Sequence, residues 1–326
     1  MSRIAVYDIG TVSCRLAVMD VSEEGKCTCL LRQVEICNLG EDVDATHSLK
    51  PAAIKRVVDC MRSYKEKAEP ICVDGSICIC TSAARDAGNS DEFVGSLKDI
   101  GLYPQVISGD TEAKLTFLGV AQDFVGQTIG VVDSGGGSTE LCIGRMLNSG
   151  ELVIEWVHSF DIGARRITER FFLQDPPSRD EVNEAHKYAS DVYSQLLDQV
   201  KNEGLVPDVI VGVGGTATTL VSVIKKMEVY DSSEVHLSQV TVDEISQAEN
   251  LFNSMILSER ENIIGLQAKR APVINGGVVA ISELLQVCGK NTLTVSESDL
   301  LFGLAVVGNA ILNKLESSLE WKLSLQ

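Results

Sequence analysis

The chain has 326 residues, 44% of them hydrophobic, and carries 28 lysines and arginines against 46 aspartates and glutamates, a formal charge of −18. That supplies a core for one large domain or two of ordinary size, and the sign of the charge excludes broad binding to nucleic acid or to an anionic membrane. No run of eighteen apolar residues occurs and the N-terminus opens on a strand pattern, so we expect no membrane span, no signal peptide, and a cytoplasmic protein with reduced thiols.

In chain order, "IAVYDIGTVSCRL" (4–16) reads as an apolar strand, an Asp8-x-Gly10 turn, and a second strand continuing through "RLAVMDV". Residues 51–64 place apolar side chains at helical spacing, with Pro51 in the first turn. "ICICTSAARDA" (77–87) is a strand that runs into small residues and a helix. A further helix follows "SGDT", with Glu112 at its start. "IGVVDSGGGSTEL" (129–141) then repeats the opening segment at an offset of 125: Asp8 matches Asp133, Gly10 matches Gly135, Ser13 matches Ser138 and Leu16 matches Leu141. "LQDPPSRDE" (173–181) reads as a connection. Ser178-x-x-Glu181 and Thr241-x-x-Glu244 are capping boxes at two helix starts. Between them "VIVGVGGTATTL" (209–220) echoes residues 77–87. Residues 273–288 form a last amphipathic run, closed by Gly289.

Strands alternating with helices predict an α/β protein, and the repeat predicts two similar halves. Their Asp-Gly turns are expected to face an interdomain cleft, because ligands of α/β sheets bind at such turns and at domain interfaces. The ten cysteines have a bland reading. Cys72, Cys78, Cys80 and Cys142 lie in strand-like apolar runs, where a thiol acts as a small hydrophobe, and the C-x-C pairs at 27/29 and 78/80 lack a second pair at zinc-finger spacing.

The glycines of "VVDSGGGSTEL" need a reason, since glycine weakens a strand. A P-loop is excluded because no Gly-Lys-Ser/Thr follows, and a dinucleotide fingerprint is excluded because "TELCIG" alternates as a strand where a helix is required. What remains is a hairpin turn with bare amides at Gly135, Gly136, Gly137 and Ser138, an anion-binding concavity flanked by Asp133 and Glu140. Carboxylates repel phosphate, but with Mg²⁺ (or Mn²⁺) between them they can hold it. Gly214, Gly215 and Thr216, at the start of a predicted helix, make a second anion site. Either stretch alone reads equally well as a tight turn; together with the repeated Asp turns they favour phosphate.

The Asp-Gly hairpins resemble the phosphate-binding motifs of the actin-like ATPase superfamily. "TSAARDAGN" (81–89), "ISGDTEAKLTFLGV" (107–120), "VVDSGGGSTEL", "SFDIGARRITERFF" (159–172) and "VGVGGTATTL" (211–220), in this order, resemble the exopolyphosphatase/guanosine pentaphosphate phosphohydrolase (Ppx/GppA) family over about residues 3–310, in its short two-domain form. The resemblance implies two duplicated actin-like (ribonuclease H-like) domains, which we place at 1–122 with 300–326 and at 123–299. It implies Mg²⁺-dependent hydrolysis of the terminal phosphate of inorganic polyphosphate. The alternatives are pppGpp hydrolysis and a non-catalytic guanosine polyphosphate-binding regulator, and it further implies a homodimer. Residue by residue, Glu112 of "EAKL" becomes the base that activates water, with Asp110 as its rival. Arg85 and Arg15 bind phosphate, Asp133, Glu140 and Asp8 surround the metal, and Arg165 and Arg166 could line a polyanion track. Val12, Lys114, Leu301 and Phe302 depart from the family pattern, which bears on substrate choice.

Overall fold

Each Asp-x-Gly turn closes an antiparallel hairpin. In the computed structural model, which describes residues 1–315 and 322–326, β1 (Ser2–Ile9) pairs with β2 (Ser13–Val21), and β3 (Cys27–Ile36) extends the meander. After α1 (Val43–Thr46) and α2 (Pro51–Ala68), β4 (Gly75–Cys80) joins β1 in parallel. Then come α3 (Ser82–Asp86), α4 (Ser90–Lys98), the short edge strand β5 (Gln105–Val106), and α5 (Gly109–Ala121). The strand order is β3-β2-β1-β4-β5. Ile4, Ala5, Val6, Tyr7 and Ile9 of β1 are all buried because both faces of this sheet are covered. Ala5, Tyr7 and Ile9 meet Val57 and Met61 of α2 and Phe93 of α4, whereas Ile4 and Val6 meet Leu115 of α5.

The second hairpin starts the same plan again. β6 (Ile129–Ser134), β7 (Thr139–Met146) and β8 (Leu152–Phe160) form the meander. α6 (Ala164–Phe171) and α7 (Arg179–Asn202) lead to β9 (Val209–Val213), parallel to β6. α8 (Gly214–Ile224), α9 (Ser232–Val235), β10 (Ser238–Thr241), α10 (Val242–Asn253), α11 (Leu257–Arg260) and α12 (Ile274–Val287) precede β11 (Thr292–Val295). The order is β10-β11-β9-β6-β7-β8, so β8-β7-β6-β9-β11 repeats β3-β2-β1-β4-β5 with β10 added at the edge. α13 (Leu300–Asn313) returns the chain to its first half and packs on α5. The two compact units are Met1–Gln122 with Asp299–Gln326, and Asp123–Ser298.

Local signals set the helix ends. Pro51 sits in the first turn of α2, where its missing N–H costs nothing. Ser178 and Glu181 exchange hydrogen bonds, with the Ser178 N–H donating to the Glu181 carboxylate at 2.7 Å, so α7 begins at Arg179, inside the stretch read as a connection. Thr241 and Glu244 form the second box, and Gly289 ends α12 with φ +65. Cys78, Cys80 and Cys142 lie in strands as expected. Cys72 does not: it is exposed, in a left-handed turn after a short 3₁₀ segment, because the chain must reverse there before entering β4. No helix among the described residues is long and apolar enough to cross a membrane.

Candidate active site

In the second unit, Asp133 closes β6 and Glu140 opens β7 directly opposite it, so both carboxylates share one face of the hairpin. Both are buried, at 6% and 2% exposure, and Ser159 Oγ donates to Glu140 Oε1 at 2.6 Å. The loop between them is turned by its carbonyls. The oxygens of Gly135 and Gly136 accept the N–H groups of Ala164 (2.9 Å) and Arg165 (2.8 Å) at the start of α6, and Arg166 Nε donates to Gly137 O at 2.7 Å. With the carbonyls committed to α6, the amides of Gly136, Gly137 and Ser138 meet no backbone carbonyl among the described residues. Gly135 differs from expectation: its N–H donates to Ser138 O at 3.0 Å and closes the turn. The Arg165 side chain pairs with Glu169 within α6, whereas that of Arg166 ties α6 to the loop at Gly137.

The start of α8 belongs to the same cluster. Gly214 has φ +84, and a Cβ there would lie 2.8 Å from Asp133 Oδ1. A Cβ on Gly215 would lie 1.8 Å from Arg270 Nη1, so bare backbone lets a carboxylate and a guanidinium approach one helix N-terminus, next to the buried Thr216. Sequence reasoning missed Arg270; its only signal is a basic pair at 269–270, which is indistinguishable from surface charge. The donor set fits a hard divalent ion. Two opposed carboxylates on one hairpin face are hard oxygen donors of the kind that Mg²⁺ and Mn²⁺ take.

The first unit repeats the turn, since the Gly10 N–H donates to Ser13 O at 2.9 Å, and changes its chemistry. The residue opposite Asp8 is Arg15, at the position equivalent to Glu140. Arg15 Nε donates to Asp8 Oδ2 at 2.5 Å and its Nη1 to Asp299 Oδ2 at 2.9 Å, and Arg32 reaches the same Asp299 oxygen at 3.0 Å. Burial raises the Asp8 carboxyl above its usual range against the pull of Arg15. Its Oδ1 is buried and finds no hydrogen-bond partner among the described residues, which suits a cation donor. Asp299 and Arg32 were not foreseen, because they join this cluster from distant parts of the sequence.

Ser108 caps α5, accepting from the Thr111 N–H at 3.2 Å, and Glu112 follows in the first turn, 7% exposed. Arg85 Nη1 donates to Glu112 Oε2 at 3.2 Å and to Ile107 O at 2.9 Å. The two residues expected to be catalytic are therefore in direct contact, whereas Asp110 is exposed. Val12, in the first turn, holds Cys37 and Asn38 through its carbonyl. Leu301 is buried in the core and Phe302 packs beside it, which explains why apolar residues stand there in this chain.

A meander-plus-parallel sheet built twice, with an acidic hairpin turn in each copy, defines the two-domain actin-like fold. The chain belongs to the Ppx/GppA phosphatase family, whose profile matches residues 18–306. It is 37% identical over 321 residues to the bifunctional 3-dehydroquinate synthase/phosphatase of Fusobacterium nucleatum subsp. nucleatum, a match covering 93% of this chain and 46% of that protein, so the chain spans about half that relative's length. It is 34% identical over 321 residues to exopolyphosphatase 2 of Mycobacterium tuberculosis, covering 94% of this chain and 98% of the relative. Among solved structures, the Aquifex aeolicus family member matches with a TM-score of 0.78 at 30% identity, covering 97% of this chain and 99% of its own. An exopolyphosphatase from Cytophaga hutchinsonii matches at 0.83 and 25%, covering 96% and 99%.

Proposed function

We propose that this protein is a cytoplasmic exopolyphosphatase that removes the terminal phosphate of inorganic polyphosphate. The observation that carries the reading is the second hairpin, where amides with no backbone partner lie between two buried, opposed carboxylates. Ten free thiols fit a reducing compartment. Phosphoryl transfer needs positioning and neutralisation of charge more than covalent chemistry. In this reading the amides of Gly136, Gly137 and Ser138 and the start of α8 at Gly214, Gly215 and Thr216 hold the terminal phosphate oxygens. Asp133 and Glu140 are the residues we assign to Mg²⁺, with Asp8 Oδ1 offering the same hard-donor chemistry; when bound, the ion neutralises phosphate charge.

Glu112 takes a proton from a water whose oxygen bonds to the terminal phosphorus, the bond to the bridging oxygen breaks, and orthophosphate leaves. The Arg85 guanidinium orients Glu112 and is itself a phosphate ligand, while Arg15, held by Asp8 and Asp299, presents positive charge from the first hairpin. The test is phosphate release from long-chain polyphosphate, pppGpp and ATP in parallel, with and without Mg²⁺. Release from polyphosphate that needs Mg²⁺ is expected; faster release from pppGpp transfers the assignment to that substrate, and binding without release identifies a regulator. Glu112→Gln should still bind polyphosphate and lose about 10²–10⁴ in kcat. Undiminished turnover in that variant removes Glu112 as the base.

A further inference from the structure

Three cysteines far apart in the sequence meet in the first unit. Cys14 lies on β2, Cys37 directly after β3, and Cys60 on α2, and their sulfur atoms all lie within 4.8 Å of one another. Cys14 is fully buried, Cys37 is 4% exposed, and Cys60 is half-buried toward the surface end of the cluster. We propose that Cys14, Cys37 and Cys60 form a three-coordinate thiolate site for a soft monovalent cation of the Cu(I) class.

The donor type selects a thiophilic ion, since thiolates favour Cu(I), Zn²⁺ or iron–sulfur centres over hard cations. The donor number then decides among these. A structural Zn²⁺ takes four ligands, and among the described residues no fourth His, Cys, Asp or Glu belongs to the cluster. Val57, Met61 and Tyr64 belong to the same core, and the Tyr64 hydroxyl donates to the Cys14 carbonyl at 3.2 Å. A metal–sulfur bond of ~2.3 Å places three sulfurs around one ion ~4 Å apart, inside the observed limit.

Each thiol that ligates releases its proton to solvent, and no electron is transferred. A bound ion would tie α2 to the meander that carries Arg15, the neighbour of Cys14 on β2.

The test uses the full chain, reduced and kept anaerobic, titrated with Cu(I) against bicinchoninate as competitor. One Cu(I) per chain should be retained, with an ultraviolet thiolate-to-copper band, three sulfur neighbours by X-ray absorption, and a raised melting temperature. Cys60→Ser and Cys37→Ala should each weaken retention by more than the ~10–100-fold that loss of an outer-shell partner costs. Cys288→Ala, in the other unit, should leave it unchanged. Failure to compete with the chelator, a count of two sulfurs in the unsubstituted protein, or retention by the Cys37 and Cys60 variants equal to that of the unsubstituted protein would overturn the site. The sulfur count decides the matter even if a variant does not fold.

Discussion

His186 sits between two carboxylates: its Nδ1 is 2.7 Å from Glu283 Oε1 and its Nε2 is 2.6 Å from Glu249 Oε1. Burial alone would lower the basicity of the ring, but the hydrogen bonds and charges of Glu249 and Glu283 more than offset it and bring the imidazole to about 9. The folded value lies above the unfolded one of ~6.5, so the stabilisation is fully present below that pH and is lost as pH rises from there through about 9. Its size is on the order of 2 kcal/mol. Thermal melts from pH 6 to 10 should show the wild type losing this increment and a His186→Gln variant lacking the dependence; matching profiles for the two proteins would refute the assignment. None of this was legible in the sequence, because residues 186, 249 and 283 lie on three helices and share no local spacing. The same limit applies to the candidate site. The motif around "EAKL" pointed to Glu112, but its contact with Arg85 and the exposure of Asp110 come from the packing of α5 beside β4 and α3. The use of the Gly135 amide to close its own turn is likewise a matter of backbone direction, which three identical glycines do not encode.

At the level of elements, the legible parts carry a short-range signal. Period-two alternation marked both hairpins, and Pro51 and two capping boxes marked helix starts, because each acts within four residues of itself. β5 is two residues long and β10 four, too short for a period, and both exist because a neighbouring strand offers them an edge. Helix crossings are equally silent in the sequence, and the one between α5 and α13 gives a sharp prediction. A Cβ on Gly303 would lie 1.8 Å from Leu115 O, and one on Gly119 would lie 2.2 Å from Asp299 O; both obstacles are backbone and cannot swing aside. Gly303→Ala should therefore cost about 1–3 kcal/mol through overpacking, despite the better helix propensity of alanine. In α4, a methyl added at Gly95 would meet nothing within 4 Å, so Gly95→Ala should stabilise by about 0.5–1 kcal/mol. Chemical denaturation of the two variants should give opposite signs. A Gly303→Ala protein as stable as the wild type would mean that the two helices are not packed this closely.

Across the whole molecule, one hairpin has been built twice and given opposite electrostatics. In the first copy Asp8 faces Arg15, so the acid arrives already neutralised; in the second Asp133 faces Glu140, and a chain with a net charge of −18 buries two more like charges together. Like charges opposite one another in a ladder repel, whereas two such carboxylates are also a pair of hard oxygen donors. The asymmetry makes sense if the second copy is completed by a divalent cation, and that can be measured without any turnover assay. Glu140→Gln removes one of the two charged donors while its amide oxygen can still accept from Ser159. Mg²⁺ should then raise the melting temperature of the wild type by the linkage relation, reaching ~2.7 kcal/mol at a hundredfold excess over the dissociation constant, and should raise that of Glu140→Gln far less. Equal Mg²⁺ shifts in both would place the ion away from this hairpin.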